Sequence, residues 1–382
     1  MRVWLAALST LGYPVDGYFW ISLNWALGLR SLGCELVWFE EHDPDWSDDE
    51  LAERTSYVHG LLTKHFPEAS FALDAEVPAG AAEKLSFAPL TLEDVAASDV
   101  LISIAKRLPD GVVKRFGCSA LLDVDPGITQ GWIKYGAYQL ADYDVYFTVG
   151  EGVPPVDAGY HWEHTFPCVA LDHWPVSAPA PDAAFTTVTH WGPGRTFSDG
   201  KEIYPNDKRR SFLPYLALPQ RTAQPLELAI PIGHQDWPPW PEEYAKLRAD
   251  GWRLHDATQL ASPWDYQRYV QGSLGEFSCA KPAYVDLKTG WMSDRTVCYL
   301  ASGKPAVVQH TGPSKVLPDA GGLFSFRSPD EAGSCLEAAM DEYDENCRLA
   351  RALAEEHFDA RKVVARVLER TVGARQAPAH AR

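Results

Sequence analysis

Positive charge is scarce in this sequence. Its 382 residues carry 34 Lys and Arg against 52 Asp and Glu, a formal net charge of -18 at pH 7. An acidic surface of this kind excludes the broad basic face that nucleic acid or an anionic membrane needs, so no nucleic-acid partner is expected. Any phosphate must be held by a local basic pocket working against the field of the whole chain. Cysteine is sparse as well: there are 7, scattered, with no C-x-x-C pair. That excludes a disulfide framework or a clustered zinc site. Cys34, Cys118, Cys168, Cys279 and Cys298 lie in apolar stretches and are expected as buried thiols. No apolar run approaches the ~20 residues that cross a bilayer. The stretch from Met1 to Leu8 is too short for a secretory leader and runs at once into Gly12 and Pro14. The expected setting is the cytoplasm, with no stable membrane insertion.

What the chain has in quantity is apolar and aromatic material. Hydrophobic residues make up 46%, with 14 Trp and 16 Tyr, enough for two cores. Arg2–Leu8 reads as a strand, Phe19–Leu32 as an amphipathic helix stopped by Gly33, and Glu35–Phe39 as a second strand. A crossover that short makes a parallel βαβ unit. A helix over Asp48–Phe66 follows, capped by Ser47 or Asp48. Residues 67–90 read as loops with a short helix. Strands are expected at Asp99–Ile104, Ala120–Val124 and Asp144–Val149. The run Trp174–Pro181 holds three prolines among small residues and marks a linker. Beyond it the alternation restarts: strands at Phe185–Thr189, Glu227–Pro231, Trp252–Leu254 and Pro305–Gln309, and helices at Glu242–Ala249, Ser262–Val270 and Ser293–Ala301. Ser328–Phe358 carries helical periodicity, and Asp359–Val372 is a further helix. The expectation is α/β: two doubly wound, Rossmann-like domains facing a cleft. Residues 1–176 form the first and 177–358 the second. A helix over 359–373 is placed to cross back to the first, and 374–382 is a disordered tail.

In such sheets ligands bind at the carboxyl ends of strands, near helix N-termini. That rule ranks the candidates. Ser293 is a good cap for a helix whose first turn offers free N–H groups to a diphosphate, with Arg295 adding a forked contact and Lys281 a point charge. The alternative is an ordinary capped helix with a solvated arginine. Asp123 and Asp125 follow a strand and would sit at the cleft, where Asp125 is a candidate to orient or deprotonate a hydroxyl; the bland reading is a turn aspartate beside Gly127. Asp16, in the loop after the first strand, and His164, in a later loop with His161, are the other candidate bases. Gly192 and Gly194 would let backbone approach a phosphate, with Arg195 and Lys208 supplying charge; a structural turn is the rival reading. His234, Gln235, Asp236, His310 and Thr311 complete the candidates, the last two pointing toward the cleft after a strand. No spacing matches a zinc or two-metal site.

Three further motifs carry a resemblance: Glu-Phe-Ser-x-Ala-Lys at Glu276–Lys281, Ser-Asp-Arg at Ser293–Arg295, which includes Asp294, and Leu-Ala-Ser-Gly-x-Pro at Leu300–Pro305. With Asp123–Gln130, Phe147–Glu151, Trp191, Tyr204 and Lys208, the chain resembles a bacterial glycosyltransferase-like group of the GT-B superfamily. That group usually has Gly-Glu-Asn where this chain has Gly150, Glu151 and Gly152. The resemblance implies a transferase whose C-terminal domain binds a nucleotide-diphosphate sugar (UDP, GDP or dTDP) and whose N-terminal domain holds a small-molecule acceptor of the natural-product kind. No cofactor and no essential metal are expected, and the oligomeric state is left open. The donor-binding set it implies is Trp191, Gly192, Arg195, Lys208, Glu276, Lys281, Ser293, Asp294, Arg295, His310 and Thr311. The same fold also admits a nucleotide-sugar epimerase, a pseudo-glycosyltransferase or a non-catalytic scaffold.

Overall fold

Two parallel sheets, each wound in the same strand order, organise the chain. In this computed structural model residues 1–12, 16–105, 108–137, 139–152, 159–192, 196–198, 201–232, 240–318 and 321–376 are described, with backbone alone at 16, 197, 240, 375 and 376. The first half runs β1 (Arg2–Ala6), α1 (Asp16–Ser31), β2 (Glu35–Glu40), α2 (Asp48–Thr63), β3 (Ser70–Leu73), α3 (Ala79–Ala82), β4 (Val100–Ile104), α4 (Asp110–Val113), β5 (Cys118–Asp123), α5 (Ile128–Lys134), β6 (Val145–Thr148) and β7 (Trp162–His164). The second runs β8 (Phe185–Val188), a small hairpin β9 (Phe197–Ser198) and β10 (Ile203–Tyr204), α6 (Lys208–Phe212), β11 (Leu226–Ile230), α7 (Trp240–Asp250), β12 (Arg253–Asp256), α8 (Pro263–Gly272), β13 (Gly275–Ser278), α9 (Pro282–Asp286), α10 (Asp294–Ala301), β14 (Ala306–Gln309) and β15 (Leu323–Phe326). Three helices close the chain: α11 (Pro329–Asp341), α12 (Tyr343–Leu353) and α13 (Ala360–Gln376).

The first sheet has the order β3-β2-β1-β4-β5-β6-β7 and the second β12-β11-β8-β13-β14-β15. Every pairing within the two is parallel. Both orders reverse beside their first strand, which opens a crevice at the carboxyl ends there. The central strands are apolar on both faces: Val3, Trp4, Leu5 and Ala6 of β1 are all buried, as a strand covered by helices on two sides must be.

Several elements depart from the reading of the sequence. β3, β7, β13 and β15 were not expected. Each has three or four residues, too few for a period-2 signal, and β7 (Trp-Glu-His) is a half-buried edge strand. The helical run 328–358 breaks at Glu342, whose φ of -129° and ψ of 58° leave the helical region between α11 and α12. α13 extends to Gln376, and 377–382 lie outside the described residues.

The expected linker is tied down rather than loose. Trp174 is fully buried, its ring 4.8 Å from Trp20 of α1 and 6.3 Å from Tyr266 of α8. Arg351 donates to the Trp174 carbonyl at 2.8 Å, and Lys304 to the Ser177 carbonyl at 2.7 Å. The apolar core accordingly runs on between the halves: Leu23 and Trp20 pack in one cluster with Tyr266, Val297 and Val364. Trp20 Nε1 donates to the Pro263 carbonyl at 2.7 Å. The last helix packs on α1 and β5. Gly28 permits this, since a Cβ there would lie 2.5 Å from Val364 Cγ2.

Candidate active site

The strand ends that face each other across the two halves form the site. Asp123 ends β5 and is buried. Its Oδ1 accepts from the Asp125 amide at 3.0 Å, and its Oδ2 accepts from Gln130 Nε2 and Thr148 Oγ1, both at 2.8 Å. Burial raises this carboxyl above its ordinary range despite those donors. Its work is structural: it fixes the turn that carries Asp125. Gly127, at φ +83°, closes that turn, and a Cβ would sit 2.8 Å from Leu287 Cδ1 and 2.9 Å from Thr289 Cγ2.

Asp125 projects across the seam. Its Oδ1 accepts from Lys281 Nζ at 2.6 Å and from the hydroxyl of the fully buried Tyr284. A third of the Asp125 side chain stays exposed, as does 22% of Lys281. Burial pushes this carboxyl up, but Lys281, Tyr284 and Lys208 together hold it below its ordinary range. Tyr284 was missed in the sequence. A signal was there: it lies three residues after Lys281, with Pro282 starting α9, and positions three apart share a helix face.

Three cations converge on the second half of the site. Lys208, the first residue of α6, has its ammonium 5.6 Å from the Trp291 ring. Burial, with Arg295 and Lys281 nearby, pushes it well below the usual lysine range. Arg295 is only 9% exposed, so it is not the solvated arginine of the alternative reading, and part of its fork is engaged within the protein: Nε donates to Glu276 Oε1 at 2.8 Å and Nη1 to the Val188 carbonyl at 3.1 Å. Its Nη2 is buried without a partner, as is Glu276 Oε2. Ser293 caps α10, accepting from the Arg295 amide at 3.2 Å. Asp294 is half-buried, and burial pushes its carboxyl up to about 7. Under that helix start lies a cavity of about 20 Å³ lined by Ser278, Ala280, Met292, Ser293, Thr296 and Gln309, large enough for a water.

The two halves touch directly here. Trp291 Nε1 donates to the Val124 carbonyl at 3.2 Å, and its backbone bridges Gly150. The Gly152 amide donates to the Thr289 carbonyl at 3.0 Å. Glu151 accepts from the Lys315 amide at 2.8 Å and from the Ser314 hydroxyl. Ile128 and Trp132 of α5 pack with Tyr204, Tyr284, Leu287 and Trp291 in one apolar cluster.

Other expected residues fall elsewhere. Trp191 is 1% exposed, against Phe212 and bonded to Glu243; it belongs to the core of the second half. Its neighbour Gly192 is half-buried beside His190. Thr311 braces the 289–291 loop by donating to the Trp291 carbonyl at 2.9 Å. His310 is half-buried, with Nε2 3.1 Å from Arg327 Nη2. His164 lies on β7 rather than in a loop, its ring edge-on to Phe166; burial lowers it, and its charged neighbours are Glu151 and Arg366. Arg195, Gly194, His234, Gln235, Asp236 and the side chain of Asp16 lie outside the described residues. Among the described residues no group of three or more His, Cys, Asp or Glu is placed to hold a metal ion, and no helix is long and apolar enough to cross a membrane.

No protein-family model matches the chain, and no curated protein matches it in sequence. Solved structures do. Anabaena Alr3699/HepE in complex with UDP is 12% identical at a TM-score of 0.56, covering 97% of this chain and 98% of that one. The trehalose-6-phosphate synthase OtsA is 11% identical at 0.57, covering 99% of each. Sucrose-phosphate synthase from Thermosynechococcus elongatus is 9% identical at 0.51, covering 98% and 99%. At these identities the likeness is one of fold, and the chain has the GT-B fold, two α/β units built on parallel sheets of seven and six strands.

Proposed function

We propose that the chain is a glycosyltransferase that moves a sugar from a nucleotide-diphosphate donor to a small-molecule acceptor. The observation that carries this reading is the cation cluster of Lys208, Lys281 and Arg295 facing a half-open carboxylate, Asp125, from the opposite sheet. The diphosphate lies on Lys208 and Lys281, and the buried Arg295 adds positive charge from behind them. As the sugar–phosphate bond breaks, charge builds on the leaving diphosphate, and positioned cations in a low-dielectric seam stabilise it. Asp125, ionised at neutral pH, accepts the hydrogen bond of the acceptor hydroxyl and orients it toward the anomeric carbon. Trp132 and Tyr204, half-buried on the N-terminal side and the hairpin, offer apolar faces for the acceptor. The binding partners HepE displays, UDP among them, make UDP-sugars the first donors to test. No metal is assigned a role.

The test is a thermal-shift panel of UDP, GDP, dTDP, ADP and CDP, each with and without magnesium. Binding to the folded state raises Tm by mass action. A shift with one diphosphate, independent of magnesium, supports the reading and names the base. No shift with any of them in folded protein overturns it. Turnover that needs no acceptor would instead identify an epimerase.

A further inference from the structure

Two ion pairs at this site differ in a way that assigns them different work. Arg295 and Glu276 are sealed, at 9% and 0% side-chain exposure, whereas Lys281 and Asp125 keep 22% and 33%. The sealed pair cannot exchange partners without exposing a bare charge. The open pair can. Asp125 cannot follow a departing partner, because its amide is pinned to Asp123, which is itself held by Gln130 and Thr148. Lysine is the mobile member: its four-carbon stem lets one ammonium serve positions several ångströms apart. Tyr284 stays with Asp125 if the lysine leaves, since its ring is wholly buried against Trp291 at 4.6 Å.

We propose that Lys281 serves two anions in turn: it holds Asp125 in the empty protein and passes to the donor's diphosphate on binding, which frees Asp125 for the acceptor hydroxyl. This rests on the donor-site reading above. Asp125 is then an internal anion that any incoming diphosphate must outcompete, and the site favours ligands of higher charge than a carboxylate. The charged and titratable groups that face Asp125 are Lys281, Lys208, Tyr284, Asp123 and Asp294. Only Lys281 and Tyr284 bond to its carboxylate among the described residues. Donor binding thus both fills the cation cluster and releases the carboxylate, so acceptor activation waits for the donor.

The experiment is calorimetric titration of the full chain with UDP and, as a base-free probe, inorganic pyrophosphate. Asp125→Asn keeps an oxygen to accept from Tyr284 but removes the competing charge. It is expected to bind both probes about fivefold tighter than the wild type, the worth of a half-exposed ion pair of about 1 kcal/mol. Lys281→Met is expected to bind both more weakly, and Asp125→Asn added to it is expected to gain nothing further. A wild type that binds while Asp125→Asn binds equally or more weakly overturns the exchange and leaves the donor site standing. A tightening that persists in the Lys281→Met background also overturns it, by showing a general charge effect. Failure of the folded wild type to bind either probe removes the donor site and the exchange with it.

Discussion

Arg295 Nε lies 2.8 Å from Glu276 Oε1, joining the first turn of α10 to the middle of the second sheet with both side chains out of water. The pair locks the helix that starts at the candidate diphosphate site onto the strand beneath it. Burying two charges is costly, and removing one leaves the other bare. Arg295→Ala is therefore expected to destabilise the protein by about 3–5 kcal/mol, as read by urea unfolding. Arg295→Met combined with Glu276→Leu is expected to recover most of that loss while still lacking diphosphate binding. A single variant as stable as the wild type would show that the pair contributes nothing net.

The general architecture was legible because its signals are local. β1, α1 and β2 announce themselves by an apolar run, a 3.6-residue stripe and a second run within forty residues, and the Ser293 cap is visible from its own neighbours. The site was legible only as an inventory. Asp125 and Lys281 stand 156 residues apart, and no periodicity brings them together. Arg295 reads in sequence as a diphosphate contact or a solvated arginine, and its burial is not legible because the strand that buries it carries its own charge, Glu276, inside a stretch otherwise apolar. Trp191 enters the donor-binding set only through the resemblance, yet Phe212 and Glu243, distant in sequence, draw it into the core.

Asp294 carries a pH dependence with a definite sign. Its carboxyl is raised from 3.8 to about 7 by burial, with Asp125 adding to the effect. The folded state therefore keeps a proton that the unfolded chain releases, and stability contributed by the neutral form is lost as pH rises from about 4 through 7. Asp294→Asn removes that titration. Its Tm is expected to gain steadily on the wild type between pH 4 and pH 8, and parallel curves for the two proteins would rule this out.

The seam at Gly152 leaves little room for a side chain. A Cβ at Gly152 would lie 2.6 Å from the Lys288 carbonyl oxygen, a backbone atom with little freedom to yield. A side chain such as asparagine does not fit a contact this close. Gly152→Asn is expected to lower stability by about 1–3 kcal/mol, the typical cost of overpacking, through a weakened Gly152–Thr289 hydrogen bond. Gly152→Ala should do the same, since the offending atom is the Cβ. An unchanged Tm in the alanine variant would place the seam under less constraint than its distances imply.

Tyr284 is a positioning residue, and its removal separates positioning from packing. Its hydroxyl donates to Asp125 and, with Lys281, holds that carboxyl ionised below the ordinary range. Tyr284→Phe keeps the ring between Trp291 and Leu287 but deletes the donor. Without it the Asp125 carboxyl rises, so a reaction that needs it ionised loses rate at higher pH than before. The acid limb of kcat/KM is expected to move up by up to about one pH unit, with the plateau falling less than about tenfold. A lost packing contact would lower the plateau and leave the limb where it was. Asp125→Glu, which keeps a carboxylate but displaces it, is expected to lower the plateau further than Tyr284→Phe, because the Asp123-pinned turn fixes where that carboxylate must sit.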